Sequence, residues 1–329
     1  MLTSPTLFHP ERYHGHRRRP PFFEGWYYKL VDATRGARYA VIPGIFLSDD
    51  PEHHHAFVQV LDGLTGQATY HRYPAGAFQA KHGSLAVRVG PNVFTDRSIH
   101  LDIDDDQRTI SGEVGFGPLR PWPVTPTSLG IMGPYGYVPR MECNHGVVSL
   151  DHPLTGSLRI DGADLRFDGG RGYIEKDWGA AFPAGYVWMQ TNHFERPGTS
   201  FVGSIAIIPW IRSAFPGFII GLWHDERLHR FATYTGARTT HLHLDDDHVE
   251  WTVRSRRGAE LDITAVRTQG GLLYGPTREH MSDRVGETMR SSVTLRLRDP
   301  DGAVRFVGTG DSAGLEVHGD LDRLLALQV

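Results

Sequence analysis

Glycine and proline interrupt this sequence at short intervals along its whole length. The chain has 38 Gly and 21 Pro among its 329 residues, and they fall between short segments rather than in one linker. Long helices do not fit between such breaks, because both residues destabilise a helix interior. The segments between them alternate apolar and polar residues or are rich in β-branched and aromatic residues, which is typical of strands. The sequence therefore predicts an all-β sandwich or barrel.

Local patterns place the strands, the turns and one helix. Strands are expected within residues 22–29, 38–42, 56–60, 98–103, 109–114, 156–160, 164–167, 186–191, 218–223, 241–244, 249–253, 260–263, 292–297 and 304–307. The dipeptides Asp161-Gly162 and Asp301-Gly302 favour tight hairpin turns, and hence antiparallel sheets. The only helix expected runs from Asp320 to Leu327, with Asp320 as its N-cap.

The length fits two β units of about 150 residues each. We expect an N-terminal extension over residues 1–20, a first β domain over 21–185 and a second over 186–329 that ends in the short helix. Residues 115–126 and 133–139 are too rich in proline and glycine for a regular ladder. Their aromatic residues distinguish them from an inert linker, so we expect a long functional loop over a barrel mouth.

Composition excludes several classes of protein. No stretch approaches the roughly 20 apolar residues that a membrane-spanning helix needs. The net charge is −4 and the basic residues are scattered, so a nucleic-acid partner is not expected. The single cysteine, Cys143, excludes an intramolecular disulfide and a cysteine-rich metal site. The first ten residues show no secretory signal, and we expect a cytoplasmic protein.

Three apparent motifs have ordinary explanations. Ser312 lies in a G-x-S-x-G pattern, but the segment that follows it alternates like a strand, whereas a nucleophile elbow needs a helix there. The same glycines fail as a dinucleotide fingerprint for the same reason. His241 and His243 share one face of a predicted strand without an identifiable third ligand, and the run 53–55 is flanked by turns. We therefore predict no metal site and no cofactor.

Two clusters combine acids with large aromatic residues. In the denser one, which spans residues 172–194, Glu175 and Asp177 share one face of a strand. A carboxyl among Trp and Tyr rings loses solvation, which raises its pKa and suits it to general acid catalysis. A bulge or turn whose acids accept backbone N–H groups is the alternative. The second cluster, residues 22–29, is either part of a ligand site or an amphipathic strand whose aromatics close a barrel.

Together the two clusters resemble the tocopherol cyclase family. The resemblance rests on residues 23–29, on Tyr-Ile-Glu-Lys-Asp-Trp-Gly at 173–179 with the segments 182–183 and 188–192, and on Gly-Leu-Glu-Val at 314–317. The central motif departs from the family's pattern at Ile174 and at Asp177, where Asn is usual. A looser similarity extends to carotenoid 1,2-hydratases and to lipocalin-like proteins. The resemblance implies two tandem lipocalin-like (calycin) antiparallel β-barrel or sandwich halves.

The resemblance also implies a chemistry, in which an alkene of a prenyl chain is protonated and a phenol oxygen closes a chromanol ring. Glu175 would then donate the proton, with Asp177 as its partner, while Lys176 points to the opposite face and stays outside the pocket. Aromatic faces would stabilise the cation. The residues expected to bind substrate are Glu24, Trp26, Tyr28, Trp178, Trp188, Gln190 and Asn192.

Three functions remain open at this stage. A cyclase and an alkene hydratase share the first protonation and differ in the nucleophile that reaches the cation. A lipocalin-like carrier of an apolar ligand needs the aromatic residues but not the acid. In each case the expected partner is a lipophilic small molecule, such as a prenylated aromatic, a terpenoid quinol or a carotenoid, taken up through peripheral contact with a membrane.

Overall fold

The computed structural model describes residues 6–139, 141–211 and 213–328. Within these ranges the strands pair antiparallel throughout, so the all-β prediction is confirmed. The strands of the first sheet are β1 (Phe22–Val31), β2 (Arg38–Leu47), β3 (His55–Asp62), β4 (Ala68–Pro74), β5 (Phe78–Ala80), β6 (Ala86–Val89), β7 (Asn92–Thr95), β8 (Ser98–Asp104), β9 (Thr109–Phe116), β10 (Cys143–Ile160), β11 (Ala163–Arg166) and β12 (Arg171–Gly179).

A second sheet follows in the sequence. Its strands are β13 (Gly185–Thr191), β14 (His193–Phe194), β15 (Ser200–Trp210), β16 (Ser213–His224), β17 (Arg227–Ala232), β18 (Arg238–Leu244), β19 (His248–Arg254), β20 (Glu260–Val266), β21 (Gly271–Pro276), β22 (Met281–Arg298) and β23 (Val304–Gly319). The helix α1 (Leu321–Ala326) ends the described chain, and short 3₁₀ turns lie at Gly15–Arg17, Pro51–His53, Ala75–Ala77, Gly130–Tyr137 and Thr233–Thr235.

The first sheet has the strand order β4-β3-β2-β1-β12-β10-β9-β8-β7-β6-β5, with β11 paired to β10. Strands from both ends of this order contribute to a single buried apolar cluster, for example Val58 of β3 and Val87 of β6. The sheet therefore curls around its own core, as expected for a barrel-like fold. Strand β12 lies between β1, the first strand of the chain, and β10, from which only β11 separates it in the sequence.

The second sheet has the order β17-β16-β15-β13-β23-β22-β20-β19-β18, with β14 paired to β23 and β21 to β22. It encloses a separate apolar cluster that includes Phe231 of β17 and Val249 of β19. Because strands from distant places in the order again share one core, this sheet curls as well. The two curled antiparallel sheets agree with the fold that the resemblance implies.

The predicted turn and helix are also present. Asp161 and Gly162 have φ angles of 50° and 86° and join β10 to β11, which is the left-handed turn geometry that favours Gly. The Asp320 side chain accepts a hydrogen bond from the backbone N–H of Arg323 and caps α1, as predicted. Between β9 and β10 the described residues form turns and a short 3₁₀ segment rather than a ladder; a functional role for this loop stays a prediction.

Two compact units divide the chain. The first comprises Met1–Phe182 and Leu272–Arg284, and the second comprises Pro183–Gly271 and Val285–Val329. The first of these segments ends at Phe182, close to the expected domain boundary between residues 185 and 186. The later segment Leu272–Arg284 belongs to the first unit, which two consecutive domains do not anticipate. The described part of the proposed N-terminal extension also belongs to the first unit.

Candidate active site

Strand β12 presents alternate side chains to opposite faces of the first sheet. Glu175 and Asp177 lie on one face with Tyr173, and we call this the acid face. Lys176 and Trp178 lie on the other, which we call the lysine face. The register carries this alternation to β1, where Tyr27 is opposite Glu175 and Trp26 is opposite Lys176. The expectation that the two acids share a face agrees with this arrangement.

On the acid face, neighbouring side chains form a continuous row in the order Asp177, His145, Glu175 and Tyr173. The Nδ1 atom of His145 is 2.9 Å from Oδ1 of Asp177. Its Nε2 atom is 3.3 Å from Oε2 of Glu175, and the Tyr173 hydroxyl donates a hydrogen bond of 2.5 Å to the same oxygen. His145 comes from β10, where it is directly opposite Asp177. The two ring nitrogens thus link the two carboxylates.

The row runs from a partly exposed end to a buried end. The side chain of Asp177 is 27% exposed and that of Glu175 only 5%, and Tyr173 is fully buried. Burial lowers the pKa of His145, but the carboxylates of Glu175 and Asp177 outweigh it and hold that pKa well above its usual value. Burial and the Glu175 carboxylate raise the pKa of Tyr173 well above its usual range. Tyr173 therefore stays protonated as a donor.

His145, Glu175 and Asp177 each offer a ligand atom within 4.8 Å of the others, as in a metal site. The orientation of the imidazole argues against a shared ion. Its Nδ1 atom faces Asp177 and its Nε2 atom faces Glu175, whereas a single metal ion binds only one nitrogen of a given histidine. The donor set fits a row of charged and hydrogen-bonded side chains better than a metal centre.

The lysine face carries a buried ion pair. The ammonium group of Lys176 contacts the Glu24 carboxylate, and both side chains are fully buried. The same ammonium lies 4.7 Å from the ring centroids of both Trp26 and Trp178, which is within the range of a cation–π interaction. Burial raises the pKa of Glu24, but Lys176 and His14 outweigh it, and the net shift is downward.

Residues 11–14 complete this arrangement from the N-terminal side. The backbone N–H of His14 donates to both Glu24 oxygens, at 3.1 and 2.8 Å. The Lys176 ammonium donates to Nδ1 of His14 at 2.9 Å and to the carbonyl of Arg12. The Trp26 indole N–H donates to the carbonyl of Glu11. The described residues of the segment expected as an extension are thus an integral part of the first unit.

These contacts correct the expected pocket. The sequence predicts that Trp26, Tyr28 and Trp178 line a cavity with Glu175 and that Lys176 lies outside it. In the structure Lys176 shares the face of Trp26 and Trp178, while Glu175 lies on the opposite face. Glu24 and Tyr28 also lie on the lysine face, where Tyr28 packs against Phe94 and Phe116 in the core. Lys176 points away from Glu175, in agreement with the alternation. Trp26, Tyr28 and Trp178 lie on the face of Lys176 rather than on that of Glu175.

The remaining predicted residues belong to the second unit. Trp188, Gln190 and Asn192 are all buried. Trp188 and Gln190 lie on β13 opposite Glu316 and Gly314 of β23. Strand pairing therefore brings together two motifs of the resemblance that are more than 120 residues apart in the sequence.

Sequence reasoning missed two titratable residues beside these motifs. His145 lies some 30 residues before Glu175 and had no motif of its own. Glu287 on β22 is fully buried and directly opposite Glu316, whose carboxylate accepts a 2.7 Å hydrogen bond from the Tyr186 hydroxyl. The alternation of Glu175 and Asp177 was a usable signal that a neighbouring strand would supply a third group.

The rejected motifs behave as expected. Ser312 lies within the continuous strand β23, and no helix follows it there, so the serine-elbow pattern is excluded in this described segment. His241 and His243 are more than half exposed, and each pairs with an acid at 3.4–3.5 Å.

A comparison with protein families decides the classification. The tocopherol cyclase-like family model matches residues 103–319, which includes β12, β13 and all of β23. The chain belongs to the tocopherol cyclase-like family. The matched residues include the acid row on β10 and β12 and both motifs of the second unit.

Individual members of the tocopherol cyclase-like family align over much of the chain. A probable tocopherol cyclase, chloroplastic, from Oryza sativa subsp. japonica is 24% identical over 93% of this chain and 77% of its own length. A tocopherol cyclase, chloroplastic, from Zea mays is 26% identical over 64% of this chain and 47% of its own length. Both relatives are named as chloroplastic, so they do not support the cytoplasmic location expected from the sequence, which stays a prediction.

Solved structures share the fold of this tocopherol cyclase-like chain. CghA matches with a TM-score of 0.55 and 14% identity over 92% of this chain and 89% of CghA. Kievitone hydratase from Nectria haematococca matches with a TM-score of 0.54 and 13% identity over 98% of this chain and 97% of its own. Among the described residues, no helix has the length and apolar character needed to cross a membrane.

Proposed function

We propose that this protein protonates a carbon–carbon double bond of a prenylated, lipophilic substrate, with ring closure by a phenol oxygen. Family membership supports an enzyme of cyclase or hydratase type. The observation that carries the finer proposal is the row of Asp177, His145, Glu175 and Tyr173, which runs from a partly exposed end to a buried end. It places a carboxyl group where it is shielded from water and still connected to a partly exposed acid.

The proposal requires Glu175 to begin the reaction as a carboxylic acid, because only that form can donate a proton. Its side chain is 5% exposed and lies 3.3 Å from His145, so the carboxyl group is shielded from bulk water while it stays in contact with a second titratable group.

Each group in the row has a distinct role in the proposal. Glu175 gives its proton to the alkene carbon, and the electron pair of the double bond forms the new C–H bond. His145 contacts the Glu175 carboxylate that remains after this transfer, and Asp177 orients the imidazole and stabilises its charge. Tyr173 donates a hydrogen bond to Glu175 and fixes the position of the carboxyl group.

The reaction balances without an oxidant or reductant. Protonation leaves a tertiary cation, and the phenol oxygen closes the ring by forming a C–O bond to that carbon. The phenol then loses its proton to the carboxylate of Glu175, which restores the starting state. The product is an isomer of the substrate. If water reaches the cation first, the same site gives a hydrated product.

The aromatic groups near the reacting centre differ from those expected. Trp26 and Trp178 face the charge of Lys176 on the lysine face, so we do not assign them to the substrate cation. Tyr27 lies opposite Glu175 in the register and is buried, as is Tyr173. We assign cation stabilisation on the acid face to these two rings.

Incubation of the purified protein with a panel of prenylhydroquinones and carotenoids tests the proposal. Mass spectrometry of the lipophilic extract separates an isomer that has lost its free phenol from a product that has gained one water. We expect the isomer, and we expect Glu175→Gln to abolish most of it. Recovery of a bound but unchanged ligand would instead identify a carrier, and a gain of water would identify a hydratase.

A further inference from the structure

The hairpin formed by β15 and β16 extends beyond its neighbouring strands. The pairing of β13 with β15 ends at Ala206, and the pairing of β17 with β16 begins at Ile219. Between these points β15 and β16 pair only with each other in the described part of the chain, through to Trp210 and Ser213. Residues 207–211 and 213–218 therefore extend past the neighbouring strands as a two-stranded arm, which we call the hairpin arm; Ile207 and Phe218 at its base belong to the core.

The end of the hairpin arm exposes large apolar side chains. Ile211 is 92% exposed and Trp210 is 40% exposed. The Trp210 ring packs edge-to-face on Phe215, with ring centroids 6.1 Å apart, and this contact supports the partly exposed ring. Exposed apolar side chains in adjacent positions mark an interaction site more often than isolated ones do.

The backbone at the tip adds a second observation. Ile211 has a φ of 52°, in the left-handed region that glycine and asparagine adopt readily and that a β-branched residue adopts only with strain. Isoleucine at this position is therefore unfavourable both for the backbone and for hydration of the side chain. A partner that buries the side chain compensates for both costs.

Charge and proline content indicate the class of partner. From Phe201 to Ile220 the sequence contains no Asp or Glu and a single basic residue, Arg212. Pro209 and Pro216 lie on the paired strands of the arm, and because proline lacks an N–H, both weaken the edges as templates for another strand. Edge pairing with a second copy is thereby disfavoured, and the missing N–H groups lower the cost of approaching an apolar phase.

From these features we infer that the hairpin arm docks on a lipid bilayer, with Trp210 at the headgroup level and Ile211 in the outer acyl region. Tryptophan is favoured at this interface, and apolar side chains drive such shallow insertion. The inference is independent of the reaction on the acid face. It would give an enzyme with a lipophilic substrate direct contact with the phase that holds that substrate.

Co-sedimentation with phosphatidylcholine vesicles tests the inference. We expect the purified protein to bind, and Ile211→Asn to weaken its partition by about tenfold, as expected for loss of one buried isoleucine. Asn tolerates the left-handed backbone, so this variant should be at least as stable as the parent. Val307→Thr is the matched control, because Val307 is 53% exposed on β23 and should leave binding unchanged.

The outcomes separate this inference from the proposed reaction. Turnover of a detergent-solubilised substrate should be the same for Ile211→Asn and the parent protein, whether or not that turnover is cyclisation. Equal vesicle binding by Ile211→Asn and the parent, or equal loss in Val307→Thr, would overturn the inference. A concentration-dependent dimer in analytical ultracentrifugation that Ile211→Asn abolishes would likewise overturn it, in favour of a second copy as the partner.

Discussion

The two faces of β12 carry charged and aromatic side chains at alternating positions, yet they balance charge differently. On the lysine face, one carboxylate, Glu24, meets one ammonium, Lys176, and both are fully buried. On the acid face, two carboxylates share one imidazole, and Asp177 at the end of the row is partly exposed. The first arrangement pairs one acid with one base in the interior, whereas the second places two acids around one base and reaches a partly exposed residue.

The difference separates a structural role from a chemical one. In a buried ion pair, each charge is compensated by its partner. Loss of one partner leaves the other charge buried and uncompensated. In the proposed reaction, the acid row gives up a proton and takes one back at Glu175. Perturbed titration combined with partial access is a property of functional sites, and on the acid face the raised pKa of His145 lies beside the partly exposed Asp177.

The largest effect on stability is expected on the lysine face. Lys176→Met leaves the Glu24 carboxylate buried without its cation and should lower the free energy of unfolding by about 3–5 kcal/mol, as measured by urea denaturation. The double variant Glu24→Gln/Lys176→Met removes both charges and keeps an acceptor for the His14 N–H. It should recover most of the loss. A single variant within about 1 kcal/mol of the parent would show that the pair is dispensable.

On the acid face the large effect should fall on turnover instead. Glu175→Gln preserves the size of the side chain and an acceptor for Tyr173, so the denaturation midpoint should stay close to that of the parent protein. Turnover should fall by at least ~10²-fold, the typical contribution of a general acid. Unfolding of this variant would assign the acid row to structure and remove the contrast between the faces.

Asp177→Asn should have a smaller effect. The amide oxygen can still accept from His145 Nδ1, so the ring orientation is retained while the charge that stabilises the imidazolium is lost. The resembled family usually carries Asn at this position. We expect turnover to fall by about tenfold, below the usual range for a general acid. An Asp177→Asn protein that lost more activity than Glu175→Gln would move the proton donor to Asp177.

The smallest expected effect is an opposite pH dependence of stability. The pKa of Glu24 is lowered on folding, so its contribution is present above its ordinary pKa of 4.5 and is lost as the pH falls through the lowered value. The pKa of His145 is raised, so its contribution is present below 6.5 and is lost as the pH rises through the raised value.

Denaturation of the Glu24→Gln and His145→Gln variants over a range of pH measures these two contributions to stability. The stability difference between the parent and Glu24→Gln should shrink in acid, and that between the parent and His145→Gln should shrink in alkali. Parallel profiles for the two variants would contradict the assignment of separate charge states to the two faces.

Much of the fold was predictable because its signals are local. Alternation identified strands such as β19 and β20, and the Asp161-Gly162 turn and the Asp320 cap each depend on a few adjacent residues. The same alternation placed Glu175 and Asp177 on one face and Lys176 on the other. The return of Leu272–Arg284 to the first unit was not predictable, since it depends on contacts between distant segments.

Which side chains share each face of β12 was harder to predict, because this also depends on contacts between distant segments. Which strands flank β12 is set by pairing across 150 residues on one side and 30 on the other, and no local pattern encodes it. Without that pairing, Trp26 could not be assigned to Lys176, and His145 was one of 19 histidines. The resemblance identified the right segments but not which of their alternate residues share a pocket.

Turnover in deuterated water measures the central claim most directly, because it follows the proton from the acid row to the substrate. With a prenylhydroquinone that the protein cyclises, we predict one non-exchangeable deuterium on the carbon next to the newly formed C–O centre. Glu175→Gln should form this labelled product at least ~10²-fold more slowly, and Glu24→Gln, where folded, at close to the parent rate. Unlabelled product, or equal labelling rates for Glu175→Gln and the parent, would contradict proton donation from the acid face.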